Sequence, residues 1–219
     1  MIENTTMSEF IGPNKILMFV TMVGLAGIFL GHLLIFKGPR WAGLFFLGSF
    51  LLGNAVEKAL ALFSNFPHFP VVFEWLAPMN LLPGLYWFLI LFLALFLSEG
   101  ITNRKIEAEE GRFWPTLFLT GLVSAGLGCF LMPLCWDLHI LVADSNSPLV
   151  VNHLLWLSLV EYGGMALPFF LVLSLTGRKK WHILATFSIL LLSLLPMSAA
   201  ILAALWEMHN LLTLWVKVA

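Results

Sequence analysis

Six long apolar stretches, at about 15–36, 41–63, 79–98, 114–135, 149–175 and 182–205, leave this chain few folds to choose from. Crossing the hydrocarbon core of a bilayer takes roughly 20 apolar residues of helix, and each stretch meets that length. The runs are continuous and rich in Leu, Phe, Ala and Met, whereas a membrane β-barrel alternates apolar and polar residues in segments of about ten. The expected fold is therefore all-α: a polytopic membrane helix bundle with six transmembrane helices in one domain, residues 1–219. Composition agrees, with 60% apolar and 11% charged residues where a water-soluble domain carries about a quarter charged. A net charge of −1 argues against a nucleic-acid partner, which calls for a basic surface. The first run has no basic flank and no small-residue cleavage site after it, so it is expected to stay as a helix rather than serve as a secretory signal.

Charge placement sets the expected topology. Lys37 and Arg40 lie between helices 1 and 2, Arg104, Lys105 and Arg112 between 3 and 4, and Arg178, Lys179 and Lys180 between 5 and 6. Only Lys15, Lys58 and Lys217 fall on the other side. By the positive-inside rule, both termini face away from the cytoplasm in a multi-pass protein of the inner (cytoplasmic) membrane. Trp41, Trp114 and Trp181 each follow a cationic loop, where an indole suits the headgroup level. The matching punctuation of the three hairpins resembles an internal repeat, although interface physics alone produces it.

The loop at about 64–78 carries Phe66, Phe69, Phe73 and Trp75 beside three prolines; it is expected to lie in the outer interface or dip back as a lid. The 206–216 tail reads as a continuation of helix 6 or a short interfacial helix, and Pro196 should kink helix 6. Gly27-x-x-x-Gly31, Gly121-x-x-x-Ala125 and Ala200-x-x-x-Ala204 are expected close-approach points between helices. Cys129 and Cys135 stand too far apart along one helix to bridge each other and are too few for a thiolate metal site.

A charge at the bilayer centre costs about 2.5–3.5 kcal/mol on insertion scales, so intramembrane acids and histidines are functional candidates. Under the topology above, Asn54, Glu57, Asn80, Asp137, Asn152, His153, Glu161, Glu207, His209 and Asn210 all fall in the outer half or at outer ends. The cytoplasmic half keeps only His32 and His182, both near an interface. Glu161, deep in helix 5, is the strongest candidate; its economical states are neutral or paired. Glu57 is the second catalytic candidate, although Lys58 beside it can snorkel outward and make this a wet helix end. His153 is a candidate ligand near a helix end, and His209 is the group expected to share a cavity with it. His153 and Glu161 differ by about 80° and 12 Å of rise, so they can line one cavity without touching. Glu207 and His209 point to roughly opposite faces of a helix, and His209 is the expected inward one. Asp137 and His139 are expected in a solvated loop, and Asn4-Thr5-Thr6 matches a glycosylation sequon.

The run Ser147-Pro148-Leu149-Val150-Val151-Asn152-His153-Leu154-Leu155-Trp156, continuing to Glu161, resembles the metal-site helix of haem–copper oxidase and nitric oxide reductase catalytic subunits. The likeness extends over about residues 147–210, to the returning helix with His209-Asn210. The resemblance implies His153 and His209 as metal ligands and Glu161 as a proton-handling carboxylate. Asn210 stands where that family places the second histidine of a pair, so the resemblance is not extended to oxidase activity.

P-loop, nucleophile-elbow, HExxH and acidic diphosphate-binding motifs are absent. Three readings follow. The leading one is a redox or respiratory membrane subunit binding haem, copper or iron, or quinone, near the outer face, with other membrane subunits as candidate partners beside the lipid bilayer. The second is an intramembrane enzyme that acts on a lipid or isoprenoid by acid/base catalysis at Glu57 or Glu161. The third is a non-enzymatic assembly or proton-path component, for which the cytoplasmic half reads as too apolar.

Overall fold

A computed structural model describes residues 13–61, 81–106, 113–137, 159–178, 182, 184–193 and scattered positions from 196 to 211. The described residues are helical, with no strand among them. They form α1 (Pro13–Lys37), α2 (Pro39–Ala61), α3 (Leu81–Thr102), α4 (Phe113–Asp137), a single π-helical turn (Leu159–Gly163), α5 (Gly164–Arg178) and α6 (Leu184–Ser193).

Local chemistry explains the corners. Gly38 ends α1 in the left-handed region at φ 85°, a conformation an L side chain resists. Pro39 then opens α2 at the one position where its missing N–H is harmless, and the Gly38 carbonyl accepts from Ala42 N–H at 3.0 Å. Asn103 ends α3 at φ 51°, while Arg104 N–H reaches back to the Glu99 carbonyl at 3.2 Å, as in a Schellman cap.

Three helices are long and apolar enough to cross a membrane: Leu17–Lys37, Leu81–Thr102 and Phe113–Cys135. In α3, 72% of the apolar window is buried against 17% in α1, which makes α3 the central mast and α1 a peripheral helix. α2 has 23 residues, a length of about 35 Å, but it carries Asn54, Glu57 and Lys58 and is less apolar. The fifth and sixth stretches are described as apolar helix over Glu161–Leu175 and Leu184–Ser193. Their remaining parts, and the loop at 64–78, lie outside the described residues.

The core is aromatic. Phe45 of α2 meets Phe88 of α3 at 5.7 Å and Phe169 and Phe170 of α5 at 5.6 and 5.8 Å between ring centroids. Glycines set how closely the backbones approach. A Cβ on Gly53 would strike the Pro83 carbonyl oxygen, on Gly84 the Phe50 ring, and on Gly121 the Leu167 side chain at 2.7 Å. Of the expected close-approach motifs, Gly121-x-x-x-Ala125 works as such, with Ala125 facing Gly163. Gly27 and Gly31 have nothing within 4 Å of an added Cβ, and Ala200 and Ala204 are exposed. Cys129 and Cys135 are free thiols.

The cationic end is tied together by one carboxylate. Glu99 Oε1 accepts from Lys37 Nζ at 2.8 Å and from Ile106 N–H at 2.7 Å, joining the ends of α1 and α3 with the side chains only 6% and 17% exposed. Trp41 is 7% exposed, stacked on Phe45 at 5.1 Å with Lys37 Nζ 5.4 Å from its ring. Trp114 is exposed. Glu99→Ala removes both Oε1 bonds and the counter-charge of a buried lysine. We expect it to cost about 2–3 kcal/mol, measured by thermal unfolding in detergent against Glu99→Asp.

Candidate carboxyl–tyrosine site

At the end of the bundle opposite the cationic loops, the π-helical turn presents two consecutive residues to the interior. Neighbours on a helix diverge by about 100°, yet Glu161 and Tyr162 are both only 2% exposed. Widened π turns occur disproportionately at functional sites. Here the wide turn ends at Gly163 and α5 begins at Gly164, and Gly163 lies against Ala125 and the Gly121 carbonyl.

Tyr162 is held on three sides. Its ring stacks on Trp87 of α3 with centroids 4.8 Å apart and planes 22° apart. Its hydroxyl donates to the Tyr86 hydroxyl at 3.3 Å. The third side is Gly128 of α4, where any Cβ would collide with the ring. Trp87 in turn depends on the notch at Gly53, so four elements determine where one phenol sits.

Glu161 has no such support. Its Oε2 is buried and without a hydrogen-bond partner, and no described cation pairs with it. Two other polar groups are close enough to Tyr86 for electrostatic interaction: Glu57, near the end of α2, and Cys135, near the end of α4. Glu57 is also within electrostatic reach of Glu161. Asn54 is buried beside them in sequence but spends its amide on the Phe50 carbonyl at 2.9 Å. A buried carboxyl with an unpartnered oxygen, within electrostatic reach of two phenols and a second acid, can donate or accept one proton and hydrogen-bond a carbonyl or hydroxyl.

Of the four site residues expected from sequence, Glu161 is buried and Glu57 is within its electrostatic reach; His153 and His209 lie outside the described residues. Among the described residues no group of three His, Cys, Asp or Glu side chains gathers as a metal site. His32 packs against Phe36, Phe92 and Phe96 at 4.4–5.7 Å, while His182 is exposed. Glu207 is exposed and Asn210 half-buried.

Sequence reasoning missed Tyr86, Trp87, Tyr162 and Cys135. A signal was available: the chain has only 2 tyrosines against 20 phenylalanines, and both belong to this cluster. In an interior that accepts Phe freely, a hydroxyl is retained where it has a bond to make. Tyr162→Phe should keep the Trp87 stack and lose the bond to Tyr86, lowering stability by about 0.5–1.5 kcal/mol. Thermal unfolding of the purified protein checks this, with Tyr162→Ala expected to cost several-fold more.

Among the described residues, fold and site together define a helical protein with three membrane-length apolar helices and a buried acid among aromatic side chains. The chain matches no protein-family model, no curated protein and no solved structure.

Proposed function

We propose that this chain is a six-span protein of the inner membrane with both termini extracytoplasmic, and that its carboxyl–tyrosine cluster lies in the outer half of the bundle. There it acts as a membrane subunit of a redox or respiratory assembly that binds the head of a quinone-class lipid. Glu161 exchanges a proton with the bound ring oxygen, and Tyr162 and Trp87 supply the flat wall. The observation carrying this reading is the fully buried Glu161 carboxyl with an oxygen lacking any partner. Leaving such a group unsatisfied costs about 1–3 kcal/mol, so its presence calls for a use. A metal or haem version rests on His153 and His209 and on the resemblance of 147–210 to oxidase metal-site helices.

The sidedness of the cations supports the topology, and the Lys37–Glu99 tie agrees with it by grouping cationic segments at one end. Organic extraction of protein purified in mild detergent, followed by mass spectrometry, tests the ligand. The wild type should carry a quinone-class molecule near one per chain, and Glu161→Gln should retain at least tenfold less. A ligand-free wild type reconstituted in native lipid would overturn the assignment.

One observation favours a second reading, acid/base chemistry on a lipid or isoprenoid: Glu57 and Glu161 lie within electrostatic reach of each other, as paired carboxyls do when one holds a proton the other lacks. It requires turnover. Substrate depletion in a total-lipid extract, lost in both Glu57→Gln and Glu161→Gln, would favour this reading over quinone binding.

A further inference from the structure

The cytoplasmic half of the bundle holds more polar atoms than its sequence suggested. Thr116, Thr120 and Ser124 recur every fourth residue on one face of α4, about 6 Å apart, and all three are at most 1% exposed. The next position on that face is Gly128, against which Tyr162 packs. From α3, Ser98 Oγ meets Thr120 Oγ1 at 2.6 Å, and Thr102 Oγ1 accepts from Thr116 Oγ1 at 3.4 Å. Thr102 is three residues beyond Glu99, at the cationic end.

Helical Ser and Thr hydroxyls usually bond back to a carbonyl one turn earlier, and most here do. Ser98 reaches Ala94 O at 2.6 Å, Thr102 reaches Ser98 O at 2.7 Å, and Thr120 reaches Thr116 O at 2.7 Å. Ser124 does not: its Oγ is fully buried with no partner. Of the four buried side-chain atoms without a partner among the described residues, Trp41 Nε1, Thr186 Oγ1, Ser124 Oγ and Glu161 Oε2, the last two belong to α4 and to the π turn that packs on it around Gly121 and Ala125.

We propose that this column, Thr102 and Thr116, then Ser98 and Thr120, then Ser124, is a water-assisted proton path from the cytoplasmic face to Glu161. Each hydroxyl takes a proton on a lone pair and releases the one it carried. Waters, each held by at least two polar partners, complete the steps between turns and from Ser124 to the acid. When Glu161 has passed its proton to the bound molecule, its carboxylate is refilled by a proton from cytoplasmic hydronium, with no net change in the column. This rests on the reading of Glu161 as a proton-exchanging acid.

The test uses the full chain in lipid bilayers transferred to deuterated buffer, with infrared detection of the acid C=O stretch that disappears in Glu161→Gln. Ser124→Ala, which removes no bond in the structure, should slow deuteration of that band by about tenfold or more without lowering the unfolding temperature. Thr120→Val should also slow it, and Thr120→Ser should restore the rate. Unchanged exchange in both Ser124→Ala and Thr120→Val overturns the path while leaving the acid intact. Slowing by Glu57→Gln alone overturns it in favour of an outer route. If Glu161→Gln removes no band, the reading of Glu161 itself fails, and this path with it.

Discussion

Gly53→Ala is expected to lower stability by about 3 kcal/mol, the upper end of overpacking costs, because the added methyl meets atoms that cannot yield. Its Cβ would sit on the Pro83 carbonyl oxygen, 2.9 Å from the Pro83 carbonyl carbon and 2.8 Å from Trp87 Cδ1. A clash with the tip of a flexible side chain is relieved by a rotamer change. A clash with α3 backbone moves a helix, and with it Trp87, the plate on which Tyr162 stacks. The damage should therefore extend from stability to ligand retention. Gly43→Ala, on the same helix with nothing within 4 Å, provides the contrast: neutral to about 1 kcal/mol stabilising, since Ala is the better helix former. Parallel thermal unfolding in one detergent should separate the pair; equal losses would contradict the packing described here.

Glu161→Leu is expected to do the opposite, raising stability while ending function. An unsatisfied buried oxygen costs about 1–3 kcal/mol, and an apolar side chain of similar bulk removes that cost. A gain in unfolding temperature together with at least a tenfold loss of bound ligand would be the stability–function trade expected of a functional polar group. A fall in stability of the same size would instead make Glu161 a structural anchor.

Helix positions were legible in the sequence because span length and apolar continuity are one-dimensional properties. The stretches 15–36, 41–63, 79–98 and 114–135 correspond to Pro13–Lys37, Pro39–Ala61, Leu81–Thr102 and Phe113–Asp137. Which face of each helix turns inward was not legible. Lipid is as apolar as a bundle interior, so Leu17 at 67% exposure and Leu33 at 1% look alike in the sequence. The same ambiguity made Gly27 and Gly31 look like packing notches while Gly53 and Gly128 passed unnoticed. Glu161 stood out because charge in hydrocarbon is costly wherever it points. Tyr86 and Tyr162 did not, since a phenol reads as one more aromatic residue. The hydroxyls of α3 and α4 were passed over because Ser and Thr can satisfy themselves on their own helix, and only coordinates distinguish Ser124 from the rest. The π turn left no signal beyond Gly163-Gly164.

The claim on which the functional account depends is that Glu161 rests as a neutral acid, buried beside Tyr162. Equilibrium infrared difference spectra of the wild type minus Glu161→Gln, in native lipid near neutral pH, measure this directly. The account predicts a positive carboxylic-acid C=O band whose position shifts in Tyr162→Phe. A difference spectrum showing only ionised carboxylate bands would contradict it.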